Sequence, residues 1–295
     1  MKILVTGGLG FIFSHVVEKL YKSGHNLTIV DAMLDGSNLQ LVDKFKKMGI
    51  KIQKEKCEFL EEYDIDYDVI IHAAAESNVD KSINEIKPFI DSNIRGTINM
   101  LDIARKQENL KKFYYISTDE VSGSTEHYVK NYNEFNPSNP YAASKAAGAH
   151  FVWSYFNTYN LPVQEIRMCN VIGKRQDDTK LIPYVINCLK NNKEICVYGD
   201  GLATREYIDV RDVVNIISHI IDEFFLEEVC AITYSQELSI LEVIMRISSI
   251  IGIPAKIKTG ERLGHDMHYR MNPSYTMKYF KRPIPFIETI EWMIN

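Results

Sequence analysis

Across its 295 residues the chain has no apolar run of membrane-spanning length, so no transmembrane helix is expected. It carries no basic tract and has a formal net charge of -5, which leaves nothing to grip nucleic acid. The five cysteines, Cys57, Cys169, Cys188, Cys196 and Cys230, are odd in number and share no short paired spacing. That excludes the usual disulfide frameworks and zinc ribbons, and reduced thiols of a cytoplasmic protein are expected. His265 and His268 have no neighbours that complete a metal-ligand set, so a structural or substrate-contacting role is the better reading. Low-complexity linkers and internal repeats are missing too. The amino terminus runs directly into Lys2-Ile3-Leu4-Val5 with no charged leader, so no secretory signal is expected.

What is present is alternation. Short apolar runs at Ile3–Val5, Leu27–Val30, Val69–Ala74, Phe113–Ile116 and Val163–Met168 are interleaved with helical stretches at 15–22, 93–106 and 141–159. Continuously apolar strands separated by helices predict a doubly wound parallel sheet covered on both faces, an α/β Rossmann-type fold. Beyond residue 168 the pattern loosens. Helices are expected near 181–190, 210–223 and 239–251, with a turn at Gly199-Asp200-Gly201 and a proline-rich close. We therefore expect a first domain over 1–168 and a smaller, partly interleaved lobe over 169–295.

Thr6-Gly7-Gly8-Leu9-Gly10-Phe11-Ile12 follows the first strand and leads into a helix. Glycines at such a turn let the backbone approach a pyrophosphate, whose charge is favoured at the helix amino terminus. Asp31 closes the second strand. A carboxylate there can accept from an adenosine ribose and would repel a 2′-phosphate, so NAD is expected rather than NADP. Phe13 breaks the series, since spacing by three calls for glycine. Either the helix stands off the sheet or the ring fills an apolar gap.

Ile116-Ser117-Thr118-Asp119-Glu120-Val121 sets two carboxylates side by side at the end of an apolar strand. One can be kept protonated to donate while the other stays ionised to accept, which suits an elimination. A solvated Asp-Glu turn is the plain alternative. Tyr141 and Lys145, four apart on a helix, share a face, and a nearby ammonium would lower the phenol pKa. In a chain with 17 tyrosines about one such pair is expected by chance, so its weight comes from its position after Thr118 and Pro140.

These motifs resemble the extended short-chain dehydrogenase/reductase superfamily and, within it, the dTDP-glucose 4,6-dehydratase family. The segments His72-Ala73-Ala74-Ala75-Glu76-Ser77-Asn78-Val79-Asp80, Asn93-Ile94-Arg95-Gly96-Thr97, Lys180-Leu181-Ile182-Pro183, Val197-Tyr198-Gly199-Asp200-Gly201, Arg205-Glu206-Tyr207 and Arg262-Leu263-Gly264-His265-Asp266 carry the likeness nearly end to end. The resemblance implies catalysis by Thr118, Asp119, Glu120, Tyr141 and Lys145. It implies that Gly7, Gly10, Phe11, Ile12, Asp31, Ala73, Ala74, Ser77, Tyr141 and Lys145 hold NAD. It implies a nucleotide-sugar substrate, dTDP-glucose ahead of UDP-glucose, contacted by Glu76, Asn170, Lys180, Leu181, Tyr198, Arg205, Arg262 and His265. The implied reaction oxidises C4, eliminates water across C5 and C6 and reduces C6. A related epimerase or decarboxylase, or an inactive nucleotide-sugar-binding homologue, is the alternative, and the Asp119-Glu120 pair argues against the first two.

Departures from the family pattern are Phe13, Ser122 in place of a tyrosine, and a shortened stretch from Glu58 to Asp66. A homodimer is expected through the 93–106 and 141–159 helices, the second presenting Phe151, Val152, Tyr155 and Phe156.

Overall fold

The computed structural model of the chain describes residues 1–61, 66–129, 132–224, 228–261 and 266–295. Twelve strands are formed among them: β1 (Lys2–Thr6), β2 (Asn26–Asp31), β3 (Lys51–Lys54), β4 (Val69–His72), β5 (Lys112–Thr118), β6 (Val163–Met168), β7 (Asn170–Ile172), β8 (Glu194–Tyr198), β9 (Thr204–Asp209), β10 (Val229–Ile232), β11 (Glu237–Ser239) and β12 (Lys256–Gly260). Seven make one sheet in the order β10-β6-β5-β4-β1-β2-β3, with every neighbouring pair parallel. The strand order reverses between β1 and β4. At that switch point the loops leaving the carboxyl ends diverge and open a crevice.

The central strands of the sheet are buried on both faces because they are apolar on both, whereas β6 buries Gln164, Glu165 and Arg167 and the edge strand β3 is largely exposed. Ile3, Val5, Val69, Ile71, Tyr114 and Ile116 belong to one core, and their alternating partners Leu4, Ile70, Phe113 and Tyr115 belong to the core on the opposite face. A third apolar cluster, including Ile182, Val185, Ile195, Tyr207 and Ile244, fills the region beyond β7. There β11-β9-β7 form a three-stranded sheet and β12 pairs with β8. The chain is interleaved. The Val210–Glu223 helix packs against the Phe11–Lys22 helix, and β10 then joins the edge of the large sheet beside β6.

Several expectations need correction. The first helix starts at Phe11 rather than at residue 15. The helix expected over 93–106 is Gly96–Ala104, entered through a short helix at Lys87–Phe89 and a π-helical turn at Ile90–Arg95. β3 and β10 were not expected. β3 is a four-residue edge strand with lysine at both ends, and such a strand carries little apolar signal. Val152 does not lie on the outer face of the Pro140–Tyr159 helix. It is fully buried in the core that holds Phe113 and Tyr115, and Phe151 and Phe156 are exposed instead.

Phe13 resolves in favour of the filled gap. Its ring is buried in the same core as Leu9, Val16, Val17 and Ile29, and it lies on the helix face that meets the sheet and the Val210–Glu223 helix. Phe13→Gly should therefore lose stability by about 3–5 kcal/mol for the cavity, with roughly 1 kcal/mol more for glycine inside a helix, and should gain no affinity for NAD. Urea unfolding and a cofactor titration of the variant check both halves.

Candidate active site

The glycine turn is built by close approach. Gly7 has φ +68°, and a Cβ there would lie 2.9 Å from the Ala74 backbone, so neither the conformation nor the space admits a side chain. Gly10 caps the Phe11–Lys22 helix in extended conformation, leaving the Phe11 and Ile12 N–H groups at the helix start with no intrahelical partner. Thr6 ties the next strand to this turn, its Oγ1 accepting from the Ala73 and Ala74 N–H groups at 3.1 Å each. Thr6 also meets His72 Nδ1 at 2.9 Å, and His72 Nε2 meets Thr97 Oγ1 at 3.0 Å. Thr97 spends its own proton on the Asn93 carbonyl, so Nε2 must donate to it and Nδ1 must accept from Thr6. Burial pushes the His72 pKa down to about 3, which keeps that neutral tautomer in place.

Asp31 Oδ1 accepts from the Met33 N–H and the Ser37 hydroxyl, and Oδ2 accepts from the Leu9 N–H at 2.9 Å. A carboxylate offers about four acceptor positions, so Oδ2 keeps one for a ribose hydroxyl. The turn, the helix start and this acceptor together fit a dinucleotide. Glu76 is pinned by Asn93, whose side chain both accepts from its N–H and donates to its carbonyl. The Ser77 carbonyl accepts from Lys180 Nζ at 3.0 Å, which joins the segment after β4 to the start of the Leu181–Lys190 helix.

β5 ends at Thr118, whose hydroxyl caps the Asp119–Ser122 turn and donates to Asp119 Oδ1 at 3.0 Å. Asp119 Oδ2 is buried with no hydrogen-bond partner. Burial, then the neighbouring Glu120 charge, pushes the Asp119 carboxyl up to about 7. Glu120 is also raised by burial, but Asn139, Arg205 and Lys180 pull it back, and Oε2 accepts from Asn139 Nδ2 at 3.0 Å. The two carboxyl groups are thus held unequally, one with a buried oxygen that has no hydrogen-bond partner, the other with a side-chain donor and two nearby cations that offset part of its burial.

The Pro140–Tyr159 helix starts on the Asn139 cap with Pro140 in its first turn and brings in Tyr141, whose phenol is set near Thr118, Asp119 and Glu120. One expectation fails here. No hydrogen bond joins Lys145 to the Tyr141 phenol among the described residues, and the phenol is not shifted down. Lys145 Nζ donates to the Ile116 carbonyl at 2.7 Å and sits 4.3 Å from the centre of the Tyr115 ring. Sharing a helix face brought the side chains to one side, but a buried carbonyl at the strand end is the stronger acceptor. The phenol pKa is accordingly raised rather than lowered, by burial first and then by Glu120, and burial takes Lys145 down to about 7.

From beyond β7, Lys180 and Arg205 bring positive charge to Glu120. Arg205 donates to the carbonyls of Thr204, Asp266 and Met267 and lies over the Tyr269 ring, so its hydrogen-bond partners are uncharged. Asn170 opens β7, Leu181 begins the helix after Lys180, and Tyr198 closes β8 with its ring partly exposed. Arg262 and His265 lie outside the described residues. Asn93, Asn139 and Asp266 were not singled out from sequence. Asn139 carried a legible signal, an Asn-Pro pair at a helix start, whereas nothing local marks the Asp266 carboxyl, which accepts from Ser138 and Tyr269 beside Glu120.

Comparison with known proteins places the chain in a family. A model of the NAD dependent epimerase/dehydratase family matches residues 3–229. The dTDP-D-glucose 4,6-dehydratase of Dictyostelium discoideum is 37% identical over 84% of this chain, a match that spans 62% of that relative's length. The low-salt glycan biosynthesis protein Agl12 of Haloferax volcanii is 36% identical over 94% of this chain and 91% of its own. Among solved structures, DesIV, a dTDP-glucose 4,6-dehydratase of Streptomyces venezuelae solved with NAD bound, superimposes with a TM-score of 0.91. It is 29% identical, with 99% of this chain and 96% of that one covered.

The raised Asp119 carboxyl has a stability consequence. An unfolded chain releases this proton near the ordinary aspartate value, and the folded one holds it to about 7. Between those values the folded state binds more protons, so this group erodes stability as pH rises and the loss is complete above pH 7. Asp119→Asn should therefore stabilise the protein more at pH 8 than at pH 5, by on the order of 2–3 kcal/mol, as read from denaturant unfolding at the two pH values.

Proposed function

Because the chain belongs to the NAD dependent epimerase/dehydratase family, we propose that it is an NAD-dependent hydro-lyase that converts dTDP-glucose to dTDP-4-keto-6-deoxyglucose. The observation that carries this reading is the unequal carboxyl pair. Asp119, pushed up to about 7 with a free buried oxygen, is the acid that protonates the C6 hydroxyl as water leaves. Glu120, steadied by Asn139, Arg205 and Lys180, is the base that takes the C5 proton and later returns it. Tyr141, protonated in the chain by itself, would accept the 4-hydroxyl proton as the phenolate, a form that the positive charge of bound NAD would favour. The resulting 4-ketone is what makes the C5 proton acidic enough for a carboxylate to remove. NAD, when bound, supplies the hydride acceptor for C4, the hydride donor for C6 and, while oxidised, a positive charge that favours loss of the hydroxyl proton.

We assign Gly7, Gly10, Phe11, Ile12, Asp31, Ala73, Ala74 and Ser77 to the cofactor, with Lys145 held at the strand end to meet its ribose. Asp31 favours NAD over NADP by repelling a 2′-phosphate. Lys180 and Arg205 are assigned to the substrate pyrophosphate, for which two cations are suited. In this reading residues 1–168 form the cofactor domain and residues 169–295 the sugar-nucleotide lobe, with the Val210–Glu223 helix and β10 returning to the first. The same reading has the enzyme working in the cytoplasm as a homodimer through the helices that present Phe151 and Phe156, both exposed in the single chain. Sedimentation at micromolar concentration should give twice the chain mass.

Incubation with dTDP-glucose and, separately, UDP-glucose, with products identified by NMR, tests the assignment. A 4-keto-6-deoxy product from the thymidine nucleotide is expected, and a C4-inverted sugar would make the protein an epimerase. Tyr141→Phe should abolish C4 oxidation without unfolding the chain. Glu120→Gln should allow the oxidation and stall the elimination, so that reduced cofactor accumulates. Wild-type turnover by Glu120→Gln would remove Glu120 as the C5 base.

A further inference from the structure

We infer that Asn139 is a positioning residue for the elimination, its side-chain amide holding the Glu120 carboxylate in place by a direct hydrogen bond while its carbonyl starts the helix that carries Tyr141. The inference rests on the proposed role of Glu120 as base. Asn139 is buried, and its two polar atoms face opposite ways. Oδ1 accepts from the Ala142 N–H at 2.8 Å, closing the first turn of the Pro140–Tyr159 helix, and Nδ2 donates to Glu120 Oε2 at 3.0 Å. One planar group therefore fixes the distance between the start of the tyrosine helix and the carboxylate at the end of β5.

The amide matters because Glu120 sits in a divided field. Lys180 and Arg205 favour its ionised form, burial and Asp266 oppose it, and Asp119, Tyr141 and Tyr269 crowd the same space with groups that gain from its neutrality. Among the hydrogen bonds formed by the described residues, that from Asn139 is the one made directly to the Glu120 carboxylate by a side chain. A donor to a buried carboxylate stabilises the charged form more than it would in water. A helix cap alone would not need an amide, since serine or aspartate starts a helix equally well. The choice of asparagine supplies a donor that neither of those offers at this reach.

That difference makes the test. Asn139→Ser and Asn139→Asp both keep a good cap, and both remove the amide donor, leaving at most a shorter hydroxyl in the first. The second also sets a carboxylate against Glu120. With dTDP-glucose as substrate and NAD-loaded enzyme, the acid limb of the kcat profile should move up by about one pH unit in Asn139→Ser and further in Asn139→Asp. On the acid limb that is a loss on the order of tenfold in kcat for the serine variant, with recovery toward the wild-type rate at higher pH and little change in KM. A carbon-13 titration of glutamate-labelled protein, with the Glu120 signal identified by its absence in Glu120→Gln, should show the same upward displacement without any turnover. Profiles and titrations that coincide with wild type in both variants would reduce Asn139 to a helix cap and overturn the inference. If wild type fails to turn over the sugar nucleotide but the glutamate titration moves, the proposed reaction is wrong and the Asn139 coupling stands.

Discussion

Two adjacent carboxyl groups at the end of β5 are withdrawn from water, and the surroundings are arranged around the cost of that burial. An ionised carboxylate without partners in an apolar interior is unfavourable enough that it takes up a proton instead. Asp119 has followed that route, and its unpartnered Oδ2 is the mark of it. Glu120 has been given a donor and two cations, and these come from three separate parts of the chain: the Asn139 cap, Lys180 before the Leu181–Lys190 helix, and Arg205 in β9. The difference between two carboxyl groups one residue apart, on which their proposed roles as acid and base rest, is thus made by tertiary structure. Nothing in the local dipeptide distinguishes them.

The same desolvation governs the redox half of the site. Tyr141 and Lys145 are both shifted toward their neutral forms by burial, in opposite directions on the pH scale. Lys145 answers this by turning to the Ile116 carbonyl and the Tyr115 ring. An ammonium that already has a carbonyl and a ring face is held in place before any ligand arrives, and its remaining N–H groups stay available. Behind it, Glu165 and Arg167 form a fully buried ion pair, with Arg167 also donating to Ser122 and to the Tyr132 carbonyl. Ser122 stands where a tyrosine was expected, and the guanidinium, with Tyr132 and Phe135 stacked on it, occupies the volume behind the catalytic turn.

How much of this was legible in the sequence depended on whether the information was local. The β-branched runs gave five strands of the large sheet, because strands buried on both faces are largely apolar, with β6 and its buried Glu165–Arg167 pair the least so. The Asp119-Glu120 adjacency and its place after a strand were readable for the same reason. β3 was not, since an edge strand bracketed by lysines looks like a loop. Periodicity set Lys145 on the same helix face as Tyr141 but could not say which acceptor its long side chain would choose. It also put Val152 on the surface, where the sheet claims it for the core. Asn139 was readable as a helix start. Its second bond crosses 19 residues to a different element, and no local pattern encodes that.

Phe13 shows how far the fold tolerates a broken motif once the reason for the motif is understood. The three glycines of the expected series do different physical work. Gly7 needs a positive φ and has the Ala74 backbone 2.9 Å from where a Cβ would lie, so it admits no substitute. Gly10 needs close backbone approach, its N–H bonding to the Gly7 carbonyl at 3.0 Å. The third position asks only that the helix pack against its neighbours, and a side chain there is acceptable if the core has a space for it. With Phe13 buried among Leu9, Val16 and Ile29, the volume that a glycine would leave to its neighbours is filled by the ring itself. The two glycines that face the crevice are kept, and the one that faces the core is replaced, so the substitution alters how the helix is packed while leaving the turn that meets the dinucleotide intact.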